Sequence, residues 1–358
     1  MTQAIHQFVA GYSNGDAISN EARVWRATFR SWGFDSDVYC ERKRILPELR
    51  KEARDIATAP ETIKPEDVVV LHLSIGSEVN RAFQRLACRK AIVYHNITPP
   101  DFFRGYQEQI VHALKKGRAE MAALAGTAEV NLAVSQFNAN ELRDAGYRHP
   151  NVIPLLLDRT HWNGPVDRTI AREIDDGFIN ILFVGRCAPN KRIEDLIFTL
   201  YFMQRFVQRK TRLIQVGSAA GLERYKALLQ TKARELNVEH ITMTGSVRAD
   251  VLRAYYKSAH VFLCLSEHEG FCIPLLEAMG HDLPVLAYDA GAVAETLDGA
   301  GVLIRRKNYD VIAETIFRVA TDASLRAGII SGQRERLQRY ERMDISGMMK
   351  EALAPLLN

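Results

Sequence analysis

Short apolar runs alternate with longer amphipathic stretches along nearly the whole chain, and this alternation restricts the fold more than any other feature. Runs such as VVVLHL (68–73), AIVYH (91–95) and INILFVG (179–185) are apolar almost throughout. Continuous apolar runs of this length are typical of parallel strands buried on both faces. Strands that alternate with helical segments predict βαβ units. The chain is therefore predicted to be an α/β protein.

The predicted strands fall into two groups separated by a polar segment. The strands are expected at 4–9, 36–40, 68–73, 91–95, 130–135 and 151–157, and then at 179–185, 212–217, 240–245, 261–265, 284–288 and 301–304. The segment DRTHWNGPVDRTIAREIDDG (158–177) between the groups has no strong period and is typical of a domain connection. A chain of 358 residues also exceeds one compact core of ~250–300 residues.

We therefore predict two Rossmann-like, doubly wound domains that face each other across a cleft. The predicted boundaries are 1–157 for the first domain, 158–177 for a linker, 178–332 for the second domain and 333–358 for a C-terminal segment with a helix over about 333–356, which is expected to pack back on the first domain. In such sheets ligands bind beyond the carboxyl ends of the strands. The loops at those ends are where chemistry is expected.

Composition excludes several classes of protein. Apolar residues make up 47% of the chain and charged residues 25%, as in ordinary globular proteins. Charge interrupts every apolar run before the ~18 residues that a membrane span needs, and the first residues lack the pattern of a secretory signal. Five cysteines without a CxxC pair favour a reducing, cytoplasmic setting and no zinc site. The net charge of +4, without interleaved aromatic and basic residues, disfavours nucleic acid as a partner.

The stretch SEHEGFCIPLLEAMG (266–280) follows a predicted buried strand and places two carboxylates in apolar surroundings. Pro274 suits the first turn of a helix, so Glu269 is expected on the preceding loop and Glu277 within the helix. A helix N-terminus near Cys272 and Ile273 would favour an anion. A phosphate there, with sugar hydroxyls bound by the carboxylates, accounts for the stretch. Capping or salt-bridged carboxylates are the structural alternative, and the residues alone leave both open.

EHEGFCIPLLEAMG resembles the E-x7-E motif of the retaining family-four glycosyltransferases, which have two facing Rossmann-like domains (the GT-B type). FVGRCAPNKRIEDLI (183–197) resembles the phosphate-binding strand–loop–helix of that family, and DAGAVAETLDGAGVLI (289–304) its segment after the motif. In the first half, AIVYHNITPPDFF (91–103) and VSQFNANEL (134–142) are similar to bacterial polysaccharide-assembly members.

The resemblance implies roles for charged residues of the second domain. Arg186 and Lys191 would neutralise the diphosphate as it leaves, which suits a guanidinium fork and an ammonium point charge. Glu269 would bind the hydroxyls of the donor sugar, and Glu277 would bind the ribose.

The loop between these carboxylates is expected to contact the donor mainly through its backbone. The residues are Gly270, Phe271, Cys272 and Ile273, together with Val247 of the loop TGSV (244–247), which is expected to line the base pocket. Many relatives have Gly where this chain has Cys272. A small, core-like thiol is expected there rather than a nucleophile.

In the first domain the resemblance implies that His95 reaches the donor sugar, and His72 has a similar placement on the neighbouring strand, next to an acceptor. The loop GYSNGD (11–16) resembles the Gly-rich loop that relatives place by the diphosphate and acceptor, with Gly15 allowing close backbone approach. Asp16 either orients an acceptor hydroxyl or caps the following helix.

No metal or other cofactor is expected. The DSD sequence (35–37) lies between a helix end and a strand start, where Asp is common in turns, so it is not interpreted as a metal-binding motif. Arg186 and Lys191 would offset the leaving charge without a cation.

The resulting hypothesis is a retaining glycosyltransferase that uses a nucleotide-diphosphate sugar, with GDP-mannose as the best candidate donor. The resemblance implies a glycan or lipid-linked glycan acceptor in bacterial surface polysaccharide synthesis, including O-antigen, at the inner face of the inner membrane. A sugar-nucleotide epimerase and a non-catalytic nucleotide-sugar-binding protein are the alternatives.

Basic residues could dock the chain to anionic lipid, a peripheral contact that we expect from 42–54 together with Lys115, Lys116 and Arg118. A solvated helical face is the alternative interpretation of the basic segment.

Overall fold

The computed structural model describes residues 3–157 and 162–357, and the chain divides into two compact units. The first unit comprises Met1–Asp101, Gln109–Asp158 and Asp344–Asn358, and the second comprises Phe102–Glu108 and Arg159–Met343. Residues 158–161 of the predicted linker lie outside the described residues.

The strands are short and strongly apolar. In chain order they are β1 Ile5–Val9, β2 Val38–Cys40, β3 Ala53–Asp55, β4 Val68–Leu73, β5 Arg89–Tyr94, β6 Val130–Ala133, β7 Asn151–Val152, β8 Ile179–Val184, β9 Thr211–Val216, β10 Ile241–Gly245, β11 Val261–Cys264, β12 Val285–Tyr288 and β13 Val302–Ile304. All six residues of β4 are buried, as expected for a central parallel strand.

Helices connect most consecutive strands. In chain order they are α1 Ala17–Ser31, α2 Ala59–Thr62, α3 Glu78–Arg85, α4 Glu108–Ala123, α5 Gln136–Asp144, α6 Arg168–Glu173, α7 Ile193–Phe202, α8 Glu223–Glu235, α9 Ala249–Ser258, α10 Ile273–Gly280, α11 Val293–Leu297, α12 Tyr309–Thr321, α13 Ala323–Glu341 and α14 Ile345–Leu353.

The first unit is built on a parallel sheet with the order β3-β2-β1-β4-β5-β6-β7. In the register of its two central strands Gln7 pairs with Val70 and Val9 with His72. The strand order reverses direction between β1 and β4, so connections leave these two strands toward opposite edges. Such a topological switch point opens a crevice at the carboxyl ends of the strands.

The second unit repeats this plan with the parallel order β10-β9-β8-β11-β12-β13. Its switch point lies between β8 and β11, where Val261 pairs with Ile181 and Phe262 with Leu182. Two Rossmann-like units with parallel sheets are therefore present, and the predicted α/β class is confirmed.

The last helix of the chain belongs to the first unit. Gln3 Nε2 and Arg89 Nη1 donate hydrogen bonds to the carbonyl oxygen of Leu356 at 2.9 and 2.8 Å, and the ammonium of Lys350 lies 5.7 Å from the centre of the Trp32 ring. These contacts join α14 and the residues after it to the end of α1 and to residues at the amino-terminal ends of β1 and β5.

Three local features differ from the sequence-based expectation. The basic segment 42–54 is not a helical face, because it forms 3-10 turns and ends in the edge strand β3. The predicted single helix over 333–356 is two helices, since Asp344 accepts a hydrogen bond from the backbone N–H of Gly347 and starts α14 anew. The predicted connection contains α6, which Asp167 caps.

Candidate active site

The switch point of the second unit brings together two loops that are distant in sequence. One loop follows β8 and contains Lys191, and the other follows β11 and contains Glu269. The Lys191 Nζ lies 2.7 Å from both carboxylate oxygens of Glu269. Both residues were expected in the site, but as contacts to different parts of a ligand, whereas in the structure they pair directly with each other.

This ion pair is largely shielded from water. The Glu269 side chain is 7% exposed and that of Lys191 21%. Burial is the largest single influence on Lys191 and lowers its pKa, but the charge and hydrogen bond of Glu269, with smaller contributions from Cys272 and Cys264, together raise it above that of an ordinary lysine. The amine therefore stays charged, and the site holds a cation and an anion side by side.

Asn190 fixes the two loops against each other. Its backbone oxygen accepts a hydrogen bond from the Glu267 N–H at 2.9 Å, and its side-chain nitrogen donates to the His268 carbonyl oxygen at 3.3 Å. Because Asn190 is buried, these bonds are protected from competing water. They set the distance between Lys191 and Glu269.

The segment after β12 supports Glu269 from the other side. The Ala292 N–H donates to the Glu269 carbonyl oxygen at 2.9 Å. Gly291 has φ +60° and approaches so closely that a Cβ there would lie 2.2 Å from that same oxygen. Only glycine fits this approach without moving Glu269.

The loop between the two motif glutamates turns sharply at Cys272, which has φ +73° and precedes helix α10. This left-handed conformation strains any residue with a Cβ, which explains physically why glycine suits the position. The Cys272 thiol hydrogen-bonds with Cys264, and this bond, with burial, raises the pKa of Cys272 well above its usual value. A neutral, buried thiol agrees with the expected core-like role.

The first turn of α10 starts at Ile273, with Pro274 at its second position, as predicted. Its half-buried N-terminus lies directly after the loop that contains Gly270. Phe271 is buried, its ring packs edge-on against Tyr340 with centroids 6.1 Å apart, and its carbonyl oxygen accepts from the Thr296 hydroxyl. The loop is thus anchored on its inner side.

Glu277 lies on α10 and is half-buried. The Tyr256 hydroxyl donates to its Oε2 at 2.7 Å, and the Tyr256 ring stacks on His281 with centroids 5.0 Å apart. Burial and the nearby Glu277 carboxylate raise the pKa of Tyr256, so this hydroxyl keeps its proton. The bond holds Glu277 in place.

Arg186 and Val247 occupy the loops that follow β8 and β10. Arg186 is exposed and donates from Nη2 to the Ala220 carbonyl oxygen at 3.0 Å, while Val247 is half-buried. Both therefore lie at the same carboxyl edge of the second sheet as Lys191.

A charged network that was not predicted from the sequence contacts the loop after β11 at Glu267. Asp195 is fully buried and accepts from Lys307 Nζ at 2.6 Å and from the Tyr309 hydroxyl at 3.0 Å. Lys307 also reaches Glu267 Oε1 at 2.9 Å, and Arg192 pairs with Asp195 at 3.2 Å. The network joins residues far apart in sequence, and a basic residue before a predicted helix is too common to reveal it.

In the first unit the two predicted histidines meet each other. His72 Nδ1 lies 2.9 Å from His95 Nε2, and the rings are stacked with centroids 5.1 Å apart. His95 Nδ1 lies 3.2 Å from the Glu21 carboxylate, and His72 Nε2 lies 2.9 Å from Gln7 Oε1. Both ring nitrogens of each histidine therefore face partners inside the first unit.

This arrangement differs from the predicted contact between His72 and an acceptor. His72 has no exposed surface, so its ring cannot touch a solute while the unit keeps this packing. Only 5% of the His95 side chain is exposed. Glu21 was not predicted, because a glutamate within a helix normally indicates a solvated face.

The Gly-rich loop borders a cavity of about 230 Å³ at the switch point of the first unit. Ser13, Asp16, Arg44 and Ser74 contribute its polar lining. Asp16 caps α1, since its Oδ2 accepts from the Ser19 N–H at 2.8 Å and from the Ser19 hydroxyl at 2.7 Å. Gly15 is exposed, with φ +71°.

The basic residues considered for lipid docking differ in their surroundings. Lys116 pairs with Glu78 at 3.0 Å and Arg118 with Glu141 at 3.1 Å, whereas Lys115 is exposed. Along the described ranges, none of the helices has the length and apolar character required to cross a bilayer.

The fold and the site define a two-unit parallel α/β protein whose second unit contains a glycosyltransferase-like segment. Residues 169–336 match the family described as Glycosyl transferases group 1. The matched segment contains the Lys191–Glu269 pair, the α10 loop and Glu277.

The curated proteins with sequences similar to this chain include the following two. An uncharacterised glycosyltransferase of Methanocaldococcus jannaschii is 29% identical over 195 residues, which cover 54% of this chain and 48% of the relative. A GDP-mannose-dependent alpha-mannosyltransferase of Mycolicibacterium smegmatis is 34% identical over 116 residues, which cover 32% of this chain and 27% of the relative. The matched regions thus span about half or less of these curated relatives.

The fold is also similar to solved structures along its whole length. A crystal structure of the Anabaena protein Alr3699/HepE in complex with UDP and glucose matches with a TM-score of 0.75 and 17% identity, covering 99% of this chain and 100% of that one. At this identity the likeness establishes the two-unit fold.

Proposed function

We propose that the protein is a retaining glycosyltransferase that transfers a sugar from a nucleotide-diphosphate donor to a glycan or lipid-linked glycan. The carrying observation is the Lys191–Glu269 pair at the switch point of the second unit, with Nζ 2.7 Å from both carboxylate oxygens. A switch point is where parallel α/β sheets bind nucleotides. The family match over residues 169–336 supports the same activity.

The pair matches the two chemistries of a sugar nucleotide. Lys191, with the exposed Arg186 on the same loop, would neutralise the charge that develops on the departing diphosphate. Glu269 would accept hydrogen bonds from sugar hydroxyls and so hold the ring in place. Donor binding would exchange the partners of both side chains, because each now satisfies the other.

The reaction follows from these roles without a covalent enzyme intermediate. An acceptor hydroxyl attacks the anomeric carbon on the face from which the diphosphate departs, and a departing phosphate oxygen takes the hydroxyl proton. The bond between sugar and phosphate breaks, and the new glycosidic bond keeps the anomeric configuration. Positioning and fixed charge supply the catalysis.

The proposed donor is GDP-mannose, and the acceptor is a bacterial surface polysaccharide precursor at the inner membrane face. The relative from Mycolicibacterium smegmatis, which is named GDP-mannose-dependent, supports this donor. The Anabaena structure instead contains UDP and glucose, so the base must be tested directly. Lys115 and the exposed residues Arg50 and Lys51 are the proposed contacts with anionic lipid.

A donor screen tests the proposal. Unfolding temperature is measured with UDP-, GDP- and ADP-sugars, since a ligand at 100 times its Kd stabilises the folded form by about 2.7 kcal/mol. The stabilising donor is then incubated with glycolipid acceptors, and the product linkage is determined by NMR. We expect GDP-mannose to stabilise most and the product to be α-linked.

Glu269→Ala and Glu239→Ala form a matched pair for this assay. Glu239 is 63% exposed and precedes β10, so it lies at the opposite edge of the same sheet. Turnover should fall at least about 100-fold in the first variant and stay unchanged in the second. Full turnover of Glu269→Ala would refute the site. An isomerised donor in the absence of acceptor would indicate an epimerase instead.

Metal independence is part of the proposal. Turnover with the best donor should be the same with and without a chelator, because Lys191 and Arg186 supply the positive charge. Loss of turnover that magnesium restores would contradict it.

A further inference from the structure

Four buried side chains form a line across the centre of the first unit. Gln7 lies on β1, His72 on β4, His95 directly after β5 and Glu21 on α1. The contacts run in order from Gln7 Oε1 to His72 Nε2 at 2.9 Å, from His72 Nδ1 to His95 Nε2 at 2.9 Å, and from His95 Nδ1 to Glu21 Oε2 at 3.2 Å.

The orientation of the Gln7 amide determines which nitrogen of His72 carries a hydrogen. Its Nε2 donates to the Ala22 carbonyl oxygen at 3.0 Å, so its oxygen must face His72. An amide oxygen only accepts, and His72 Nε2 therefore carries a hydrogen. Burial lowers the pKa of His72 well below its usual value, so the ring is neutral and its Nδ1 is a bare acceptor.

His95 is also a neutral imidazole with its hydrogen on Nε2. Its Nε2 must carry the hydrogen that His72 Nδ1 accepts. Burial lowers the pKa of His95 to about 3, so its Nδ1 is also bare. A bare nitrogen then faces an oxygen of Glu21 at 3.2 Å. Two lone pairs at this distance repel unless a proton lies between them.

Glu21 is well placed to hold that proton. Its side chain is 5% exposed, and neither carboxylate oxygen has a well-directed hydrogen bond among the described residues. Burial raises the pKa of Glu21 to about 8, and the indole N–H of Trp25, as a nearby hydrogen-bond donor, lowers it by a smaller amount. A carboxylic acid avoids the cost of an unpaired buried charge.

Among the described residues, the charged groups near Glu21 pair with other partners. On α1 itself, Arg23 and Arg26 turn to Glu52, at 3.4 and 3.7 Å. His95, after β5, contacts Glu21 directly, and His72 on β4 contacts His95. The ammonium of Lys350 on α14 lies over the Trp32 ring at the end of α1.

The geometry also distinguishes a proton chain from a chelate. Glu21 and His72 approach His95 at different ring nitrogens, on opposite sides of the imidazole. One cation cannot bind both nitrogens of the same ring. The order of contacts therefore suits hydrogen bonds in series.

We propose that Glu21 is a positioning residue that enters this chain as a neutral carboxylic acid and donates its proton to His95, fixing the ring and the backbone at the carboxyl end of β5. The assignment of protons stands on these contacts alone, and only the turnover readout rests on the proposed function, because the sequence resemblance implies that His95 contacts the donor sugar. Ionisation of Glu21 at alkaline pH removes the donor and releases the ring. Turnover should therefore fall as pH rises through the Glu21 pKa.

The test compares the wild type with Glu21→Gln and Glu21→Leu. The glutamine amide can donate to His95 Nδ1 as the acid does, whereas leucine fills space without a donor. Glu21→Gln should keep turnover and lose the alkaline fall. Glu21→Leu should lower turnover at every pH, and unchanged turnover in this variant would refute a positioning role.

The pH dependence of the free energy of unfolding tests the proposal without a substrate. Between about pH 5 and 8 the folded wild type keeps the Glu21 proton that the unfolded chain releases, so its stability falls as pH rises. Relative to Glu21→Gln, the folding equilibrium constant of the wild type should drop by up to tenfold per pH unit in this window. A constant difference across the window would overturn the proposal, whatever the donor screen finds.

The wild type alone provides a check if the variants do not fold. Nitrogen-15 NMR at pH 7 should show His72 and His95 as neutral Nε2–H tautomers. A doubly protonated His95 would mean that Glu21 is ionised and would refute the assignment. If these tautomers are present but no donor binds in the screen, the transferase proposal is rejected and the proposal for Glu21 stands.

Discussion

The two units place very different chemistry at equivalent points of the same topology. The switch point of the second unit has a charged pair, with Lys191 Nζ 2.7 Å from Glu269. Beside the switch point of the first unit lies a line of side chains that are neutral when Glu21 is protonated, with His72 and His95 2.9 Å apart. Both have a buried glutamate, but only Glu269 has a cation beside it.

The difference shows that two equally buried carboxyl groups can have very different electrostatic surroundings. Glu21 and Glu269 have side chains that are 5% and 7% exposed. A neighbouring ammonium favours the charged form, whereas an uncharged imidazole does not. The second unit is therefore suited to bind charged ligand groups. In the first unit the hydrogen-bonded side chains are suited to hold one another in fixed positions.

The largest expected effect comes from breaking the charged pair on one side. Lys191→Met leaves Glu269 buried without a counter-ion, so the free energy of unfolding should drop by about 3 kcal/mol. The double variant Lys191→Met/Glu269→Gln should recover most of that loss while remaining inactive. Urea unfolding and turnover of the variants measure the two effects. If the double variant is as unstable as the sum of the two single variants, the residues are not coupled.

The same substitution of glutamate by glutamine is expected to change stability differently in the two units. Glu269→Gln should destabilise the protein at pH 7, because it leaves Lys191 without its partner, whereas Glu21→Gln should not. A loss of stability in both variants would mean that Glu21, like Glu269, is a charged partner in the folded protein.

A smaller effect is expected from crowding Glu269 through the backbone. Gly291→Ala places a Cβ 2.2 Å from the Glu269 carbonyl oxygen, whereas Gly299→Ala has the same left-handed strain and open space around it. Gly291→Ala should therefore be less stable than Gly299→Ala by about 2 kcal/mol. Donor affinity, measured by calorimetry, should fall only in Gly291→Ala. Equal loss in both variants would mean that backbone strain alone matters.

The smallest effect concerns Cys272, where the second unit keeps a strained residue. Cys272→Ala removes the thiol and retains the strain at φ +73°, and Cys272→Gly removes both. The glycine variant should be more stable than the alanine variant by about 1 kcal/mol. Thermal unfolding of the two proteins compares them, and a more stable alanine variant would contradict the account.

Most of the fold was predictable because buried parallel strands are apolar throughout. The predicted strand 68–73 coincides with β4, and 284–288 contains all of β12. Strand β3 was missed because it is a short edge strand in a charged segment, with Arg54 exposed. Edge strands need few apolar residues, so periodicity does not reveal them.

The positions of the candidate residues in the fold were predictable, but their contacts with one another were not. Lys191 and Glu269 were both expected at the carboxyl edge, yet their direct pairing depends on the Asn190 bonds between two loops. Glu21 gave no signal, because its burial depends on strands that follow it in sequence. His95 was expected to reach outward, but its two ring nitrogens face internal partners.

The return of α14 to the first unit has a consequence for how the chain acquires its structure. Leu356 receives hydrogen bonds from Gln3 and Arg89, so the amino-terminal sheet is fastened by a segment synthesised after the entire second unit. During translation the first sheet can form these contacts only after the second unit has been synthesised. Removing residues from 344 onward should therefore loosen the early sheet while leaving the later one folded.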